Sequence, residues 1–170
     1  PELGSVRLDL DTEDELRTAY AAMSARLGAA EAGLVVQTVA PPGVATVVGA
    51  TEDPSFGALV SFGIGGVVTD LLDDRAFRIL PLTDVDAADL VRSIRAAPLL
   101  SGYGGAEPVD IEALQRLLLR VGRLADDILE VVEVEINPAV VSSDGVSVLS
   151  ARVRVAPPVR GDDLGPRRMR

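Results

Sequence analysis

The sequence has no cysteine, histidine, tryptophan or lysine, and all 16 of its basic residues are arginine. Without cysteine there is no disulfide and no thiolate chemistry, so the redox compartment leaves no trace. Without histidine and cysteine an ordinary zinc site is excluded. The missing histidine also rules out a Ser-His triad and a phosphohistidine built from this chain alone. The missing lysine rules out a Schiff base and a P-loop phosphate lysine. Aromatics make up 3% of the residues and the net charge is −10. Stacking platforms for single strands are therefore scarce, and a phosphate backbone is repelled, so nucleic acid is not an expected partner. No apolar run reaches the 18 residues of a membrane span, and no signal-peptide pattern opens the chain. Carboxylates, arginines, asparagine, hydroxyls and backbone amides remain for chemistry.

What is present fits one domain with a real core: 170 residues, 48% hydrophobic and 25% charged. The start, Pro1 to Ser5, leads straight into Val6-Arg7-Leu8-Asp9-Leu10, which alternates like a strand and reads as a segment of a longer chain. Thr12-x-x-Glu15 is a capping box. It opens a helix with Leu16, Ala19, Tyr20, Met23 and Leu27 at helical spacing and Gly28 as its C-cap. Leu34 to Val39 reads as a buried strand, Pro41-Pro42-Gly43 as a turn, and Val44 to Gly49 as a second strand. Ala58 to Phe62 is strand-like and runs into Gly63-Ile64-Gly65-Gly66. Val67-Val68 restarts the sheet, and Phe77 to Leu80 is another short strand. Thr83 or Asp84 caps a helix that carries Leu90, Val91 and Ile94 and stops by Pro98. After a glycine-rich loop from Ser101 to Glu107, Asp110 caps a stronger helix with Ile111, Leu114, Leu117, Leu118, Val121 and Leu124 on one side. Val132, Val134 and Ile136 alternate with Glu133, Glu135 and Asn137 as a half-buried strand. Asp144-Gly145 is a hairpin turn and Val146 to Val155 the return strand. Ala156 to Arg170, rich in Pro, Gly and Arg, is expected to be a flexible tail. The order predicts an α+β fold with a mostly antiparallel sheet and about three helices.

Four places can hold chemistry. Glu133, Glu135 and Asn137 share one strand face, with about 6.7 Å between neighbours. A two-residue turn at Asp144-Gly145 sets Asn137 opposite Arg152 and Ala139 opposite Ser150. Carboxylate plus amide oxygen suits Mg²⁺, and the same pattern equally serves a solvated face of Glu–Arg cross-strand pairs. Gly63-Ile64-Gly65-Gly66 can offer backbone amides to an anion or simply make a tight connection. Gln37 to Val44 can present backbone groups to a planar base or form an ordinary turn. Asp70, Asp73, Asp74 and Arg75 can hold ions or phosphate, or make a solvated turn.

Taken together the segments resemble a family. Gln37-Thr38-Val39-Ala40-Pro41-Pro42-Gly43, Val48-Gly49-Ala50, Asp53-Pro54-x-Phe56-Gly57 and Phe62-Gly63-Ile64-Gly65-Gly66-Val67 resemble the ATP-grasp region of NDP-forming (ADP-forming) acetate–CoA ligases. So do Asp73/Asp74 with Arg78 to Thr83, Pro98-Leu99-Leu100-x-Gly102-Tyr103-x-Gly105, and Glu135-Ile136-Asn137-Pro138, the most diagnostic. The resemblance runs from about Val6 to Val155. It implies an ATP-grasp C-terminal lobe over residues 1–155, followed by the tail over 156–170. It further implies ATP or ADP near Gln37, Thr38, Val39 and Ala40, phosphate near Gly63, Gly65 and Gly66, and Mg²⁺ on Glu135 and Asn137. The implied partners are an upstream ATP-grasp lobe and CoA-binding domains of the same polypeptide, with acyl-CoA as a ligand and a cytoplasmic setting.

The sequence departs from the family pattern in places. The second metal carboxylate falls at Ser150, the acid after the Pro-Gly turn falls at Ala45, and no lysine is present. The Arg-only, Ala/Val-rich composition resembles relatives fused to GNAT-type lysine acetyltransferases, in which a regulatory, acyl-CoA-sensing role is implied. Three readings follow: a degenerate regulatory lobe of an acetyltransferase, a lobe of an active acyl-CoA ligase, or a structural domain without nucleotide. In each, the chain alone is expected to be inactive.

Overall fold

The computed structural model describes residues 6–27, 33–66 and 74–157. The chain divides into two units, Pro1–Val39 and Ala40–Arg170.

In the first unit, helix α1 spans Glu13–Leu27. Its start is the expected capping box. The Thr12 hydroxyl accepts the Glu15 N–H at 3.3 Å, and the Glu15 carboxylate accepts the Thr12 and Asp11 N–H groups at 3.0 Å each. These bonds, that from the Thr12 side chain foremost, hold the Glu15 carboxyl below its ordinary range. Two sequence expectations fail here. Neither Val6–Leu10 nor Leu34–Val39 forms a strand, and Val6, Leu8, Val35, Val36 and Val39 are exposed. Alternation states which side of a strand would be buried. A strand also needs a hydrogen-bonding neighbour, and among the described residues neither segment has one. The Gly28 cap lies outside the described residues.

The second unit is an antiparallel sheet backed by helices. Its strands are β1 (Val44–Asp53), β2 (Gly57–Ile64), β3 (Arg75–Ile79), β4 (Val131–Ser142), β5 (Gly145–Val148) and β6 (Ala151–Val155). The order is β3-β2-β1-β4-β5, with β6 following β5 along the same edge of β4. Helices α2 (Asp84–Arg92) and α3 (Ile111–Asp127) cover one face. Thr83 and Asp86 form a reciprocal capping box on α2. Asp110 caps α3 by accepting the Ala113 N–H at 2.8 Å, and its own N–H donates to the Ser142 carbonyl, fastening the helix to the end of β4. Val48, Val60, Phe62, Leu90, Leu114, Leu118 and Val141 are fully buried between sheet and helices. Gly122 lets α3 come close: a Cβ there would stand 3.0 Å from Leu80 and 3.5 Å from Val60. The α+β expectation is met. Among the described residues no helix is long and apolar enough to cross a membrane.

The hairpin differs from expectation in a way that matters for the site. Its turn is Ser143-Asp144, one residue early, because the Ser142 hydroxyl accepts the Asp144 N–H at 3.2 Å and Gly145 supplies the positive φ of 133°. The register therefore slides by two residues. Glu135, not Asn137, lies opposite Arg152, and Ala139 lies opposite Val148 rather than Ser150. The return strand is broken into β5 and β6 at Leu149-Ser150. That break faces Asn137-Pro138, where proline has no N–H for the ladder. Val67-Val68 and residues 158–170 of the expected tail lie outside the described residues.

Candidate functional site

The sheet face away from α2 and α3 carries the candidate site. Along β1, Thr46, Val48 and Ala50 point into the core, so Ala45, Val47 and Gly49 point the other way; Val47 is buried yet stands apart from the core cluster. Register extends this face across the strands. One row runs Arg152, Glu135, Gly49, Ser61, Phe77. The next starts at Asn137, whose N–H donates to the Ser150 carbonyl at 3.1 Å, and continues through Val47, Gly63 and Arg75. Glu135 and Asn137 thus project together, and Gly63 lies on the same face two strands away, about 10 Å at the usual strand spacing.

A β-bulge sets Asn137 in place. The β1–β4 register shifts between Thr46 and Val48, because β4 spends one extra residue at Asn137-Pro138. The Thr46 hydroxyl, fully buried, donates to the Ala139 carbonyl at 2.8 Å, directly beside the bulge. Sequence reasoning missed Thr46. Its only signal was a polar residue at a core position of an otherwise apolar strand.

The charges on this face pair unequally. Arg154 Nε donates to Glu133 at 2.8 Å, whereas Arg152 stays 3.8 Å from the Glu135 carboxylate, beyond hydrogen-bonding distance. The Asn137 amide is exposed and makes no side-chain hydrogen bond with a described residue. Glu135 and Asn137 supply the oxygen donors a hard divalent cation prefers, with one carboxylate. Among the described residues no three of His, Cys, Asp and Glu gather at a metal-binding spacing.

The other expected residues fall differently. Gly63 sits inside β2, and the Gly65 N–H donates to the Ala45 carbonyl at 2.7 Å. Gly63 is buried, a Cβ there would stand 3.0 Å from the Asp74 carbonyl and 3.2 Å from the Arg75 side chain, and the Gly65 amide is already engaged. Gly66 has φ 118°, which favours glycine. Gln37, Thr38 and Val39 are exposed in the first unit, and half-buried Ala40 begins the second. Asp74 accepts the Arg95 and Ala96 N–H groups at 2.9 and 2.8 Å, so it ties the start of β3 to the turn after α2 and is not an open ion ligand. Asp70 and Asp73 lie outside the described residues.

The profile of the ATP-grasp domain matches residues 1–155. The chain is also 35% identical over 157 residues to the beta subunit of ADP-forming acetate–CoA ligase I from Pyrococcus furiosus, covering 89% of this chain and 68% of that one. The chain belongs to the ATP-grasp domains of the ADP-forming acetate–CoA ligase family. Against the ADP-forming acetate–CoA ligase I of Archaeoglobus fulgidus, this ATP-grasp chain is 36% identical over 156 residues and spans 23% of that protein's length. Among solved structures it is similar to dinucleotide-forming acetyl-coenzyme A synthetase 1 of Ca. Korarchaeum cryptofilum, in complex with coenzyme A and Mg-AMPPCP. There the TM-score is 0.78 at 37% identity, over 88% of this chain and 67% of that one.

Proposed function

We propose that this ATP-grasp lobe holds the phosphate end of a Mg-nucleotide on the open sheet face, within an acyl-CoA synthetase-like protein whose metal shell is reduced to one carboxylate. One observation carries the reading: Glu135 and Asn137 project together from that face, and Ser150 stands directly opposite Asn137. Glu135 contributes the charged oxygen and Asn137 the neutral amide oxygen. Ser150 offers a hydroxyl where a second carboxylate would double the negative charge around the ion. Gly49, with the Ser61 hydroxyl beside it, keeps the floor next to Glu135 low. Mg²⁺, when bound, neutralises phosphate charge. An upstream lobe and CoA-binding domains are the proposed partners.

With one carboxylate lost, the lobe binds nucleotide weakly and turns it over poorly, and it works as a regulatory unit. The setting within a GNAT-type acetyltransferase is part of this proposal and rests on the sequence resemblance. The active-ligase reading is favoured by a different observation, the 35% identity to an ADP-forming acetate–CoA ligase subunit.

Two measurements on the intact protein test these readings. Calorimetry with Mg-ATP is expected to give weak binding that Ser150→Asp tightens. Acid- and CoA-dependent ATP consumption is expected to be negligible. Robust turnover by the unaltered protein would replace the regulatory reading with the ligase one. Absence of nucleotide binding in both the unaltered protein and Ser150→Asp would leave a structural domain.

A further inference from the structure

Among the described residues three arginines lie on the sheet face away from the helices, at two opposite edges: Arg75 on β3, and Arg152 and Arg154 on β6. The two on β6 face carboxylates at equivalent positions of the ladder, yet they are held differently. Arg154 donates a hydrogen bond to Glu133 at 2.8 Å. Arg152 stands off from Glu135 at 3.8 Å with its side chain 82% exposed. No hydrogen bond from the Arg152 guanidinium to a described residue is present. An exposed pair at this separation adds little stability, so Arg152 leaves Glu135 at small cost.

The neighbourhood favours such a move. Ser150, two residues back along the strand and so about 6.7 Å away on the same face, is uncharged. Glu135 is therefore the one acidic partner that Arg152 has among the described salt bridges. A divalent cation taken by Glu135 removes that partner's charge and repels the guanidinium. A nucleotide brings several negative charges to the same place, and the chain has no lysine to meet them. A planar guanidinium is suited to grip two phosphate oxygens at once.

Building on the reading of Glu135 and Asn137 given above, we infer that Arg152 is a phosphate-binding residue that faces Glu135 when no cation is bound and is released to the nucleotide when a divalent cation takes the carboxylate. Arg152 is both competitor to the cation and partner to the phosphate, so its removal changes the two affinities in opposite directions.

The test uses Arg152→Gln in the intact protein, with Mn²⁺ alone followed by electron paramagnetic resonance and ADP at saturating Mn²⁺ followed by calorimetry. Mn²⁺ alone is expected to bind about two- to threefold more tightly, the scale of an exposed ion pair. ADP is expected to bind roughly tenfold more weakly, the scale of a charge-assisted hydrogen bond. Arg152→Lys should recover part of the ADP affinity, and Arg154→Gln should leave both within about twofold. Both affinities falling together would make Arg152 structural, both rising would make it a competitor only, and no change would leave it idle; each of these overturns the inference. If the unaltered protein binds neither Mn²⁺ nor ADP, the Glu135–Asn137 reading falls first and takes this one with it. Binding by the unaltered protein with an unresponsive Arg152→Gln removes this inference alone.

Discussion

On the helix-backed face of the sheet Val48, Phe62 and Ile136 are buried against α2 and α3, while one residue along the same strands Gly49, Ser61 and Glu135 look out on the opposite side. The same hydrogen-bond ladder serves both. The covered face is filled with branched and aromatic side chains and fixes stability. The other face carries small residues, an amide and charges, of which Arg154–Glu133 is hydrogen-bonded and Arg152–Glu135 is not, and it is the face proposed to meet a ligand. The comparison teaches that the two properties separate by residue parity, and that separation can be attacked experimentally.

The largest effect is expected on the covered face. Phe62→Ala should cost about 3–5 kcal/mol in urea denaturation, the usual range for emptying a fully buried aromatic site; a loss below about 1 kcal/mol would mean the helices do not close over it. Next comes Thr46, which belongs to the core by position and to the site by effect. Thr46→Val keeps the volume but removes the buried hydroxyl bond to the Ala139 carbonyl, at about 1 kcal/mol. It should also weaken divalent-cation binding, because the bulge presents Asn137. Loss of stability with intact cation binding would uncouple bulge from site. Glu135→Gln, by contrast, should shift denaturation by no more than about 0.5 kcal/mol, since its partner is exposed and distant, yet abolish Mn²⁺ binding. A large stability loss there would erase the distinction between the faces.

The smallest expected effect lies at the start of α2. The Thr83 hydroxyl, followed by the Thr83 backbone N–H, hydrogen-bonds the Asp86 carboxylate and holds its pKa below the ordinary value. A lowered folded-state pKa means that the contribution is present at neutral pH and is lost as acid titrates the group through that lowered value. Titration followed by nuclear magnetic resonance should find Asp86 low, and Thr83→Ala should return it upward. An unchanged titration would show that the cap is not what holds it.

Where a cue was local, the sequence was readable. Thr12, Asp110 and the pair Thr83 or Asp84, of which Thr83 is the cap, announced helix starts that the structure has, because a cap needs only a neighbour three residues away. The alternation of Val134 and Ile136 with Glu135 and Asn137 told correctly which side of β4 meets water. Cues that depend on a distant partner misled. Leu34–Val39 has the composition of a strand but no ladder neighbour among the described residues. The hairpin offset came from a serine hydroxyl competing for a backbone amide, a choice that Asp144-Gly145 alone does not reveal. That offset changed which charge faces Glu135 without changing the face, because a slip of two residues preserves parity.

The extra residue in β4 acts as a change of phase. Before it the even-numbered Val134 and Ile136 turn inward; after it the odd-numbered Ala139 and Val141 do. Deleting a single residue between Ile136 and Ala139 would leave a regular ladder with both halves still facing inward, but it would abolish the bulge that presents Asn137. The length of the Asn137-Pro138 segment therefore sets how the site is presented, while the burial of the strand does not depend on it.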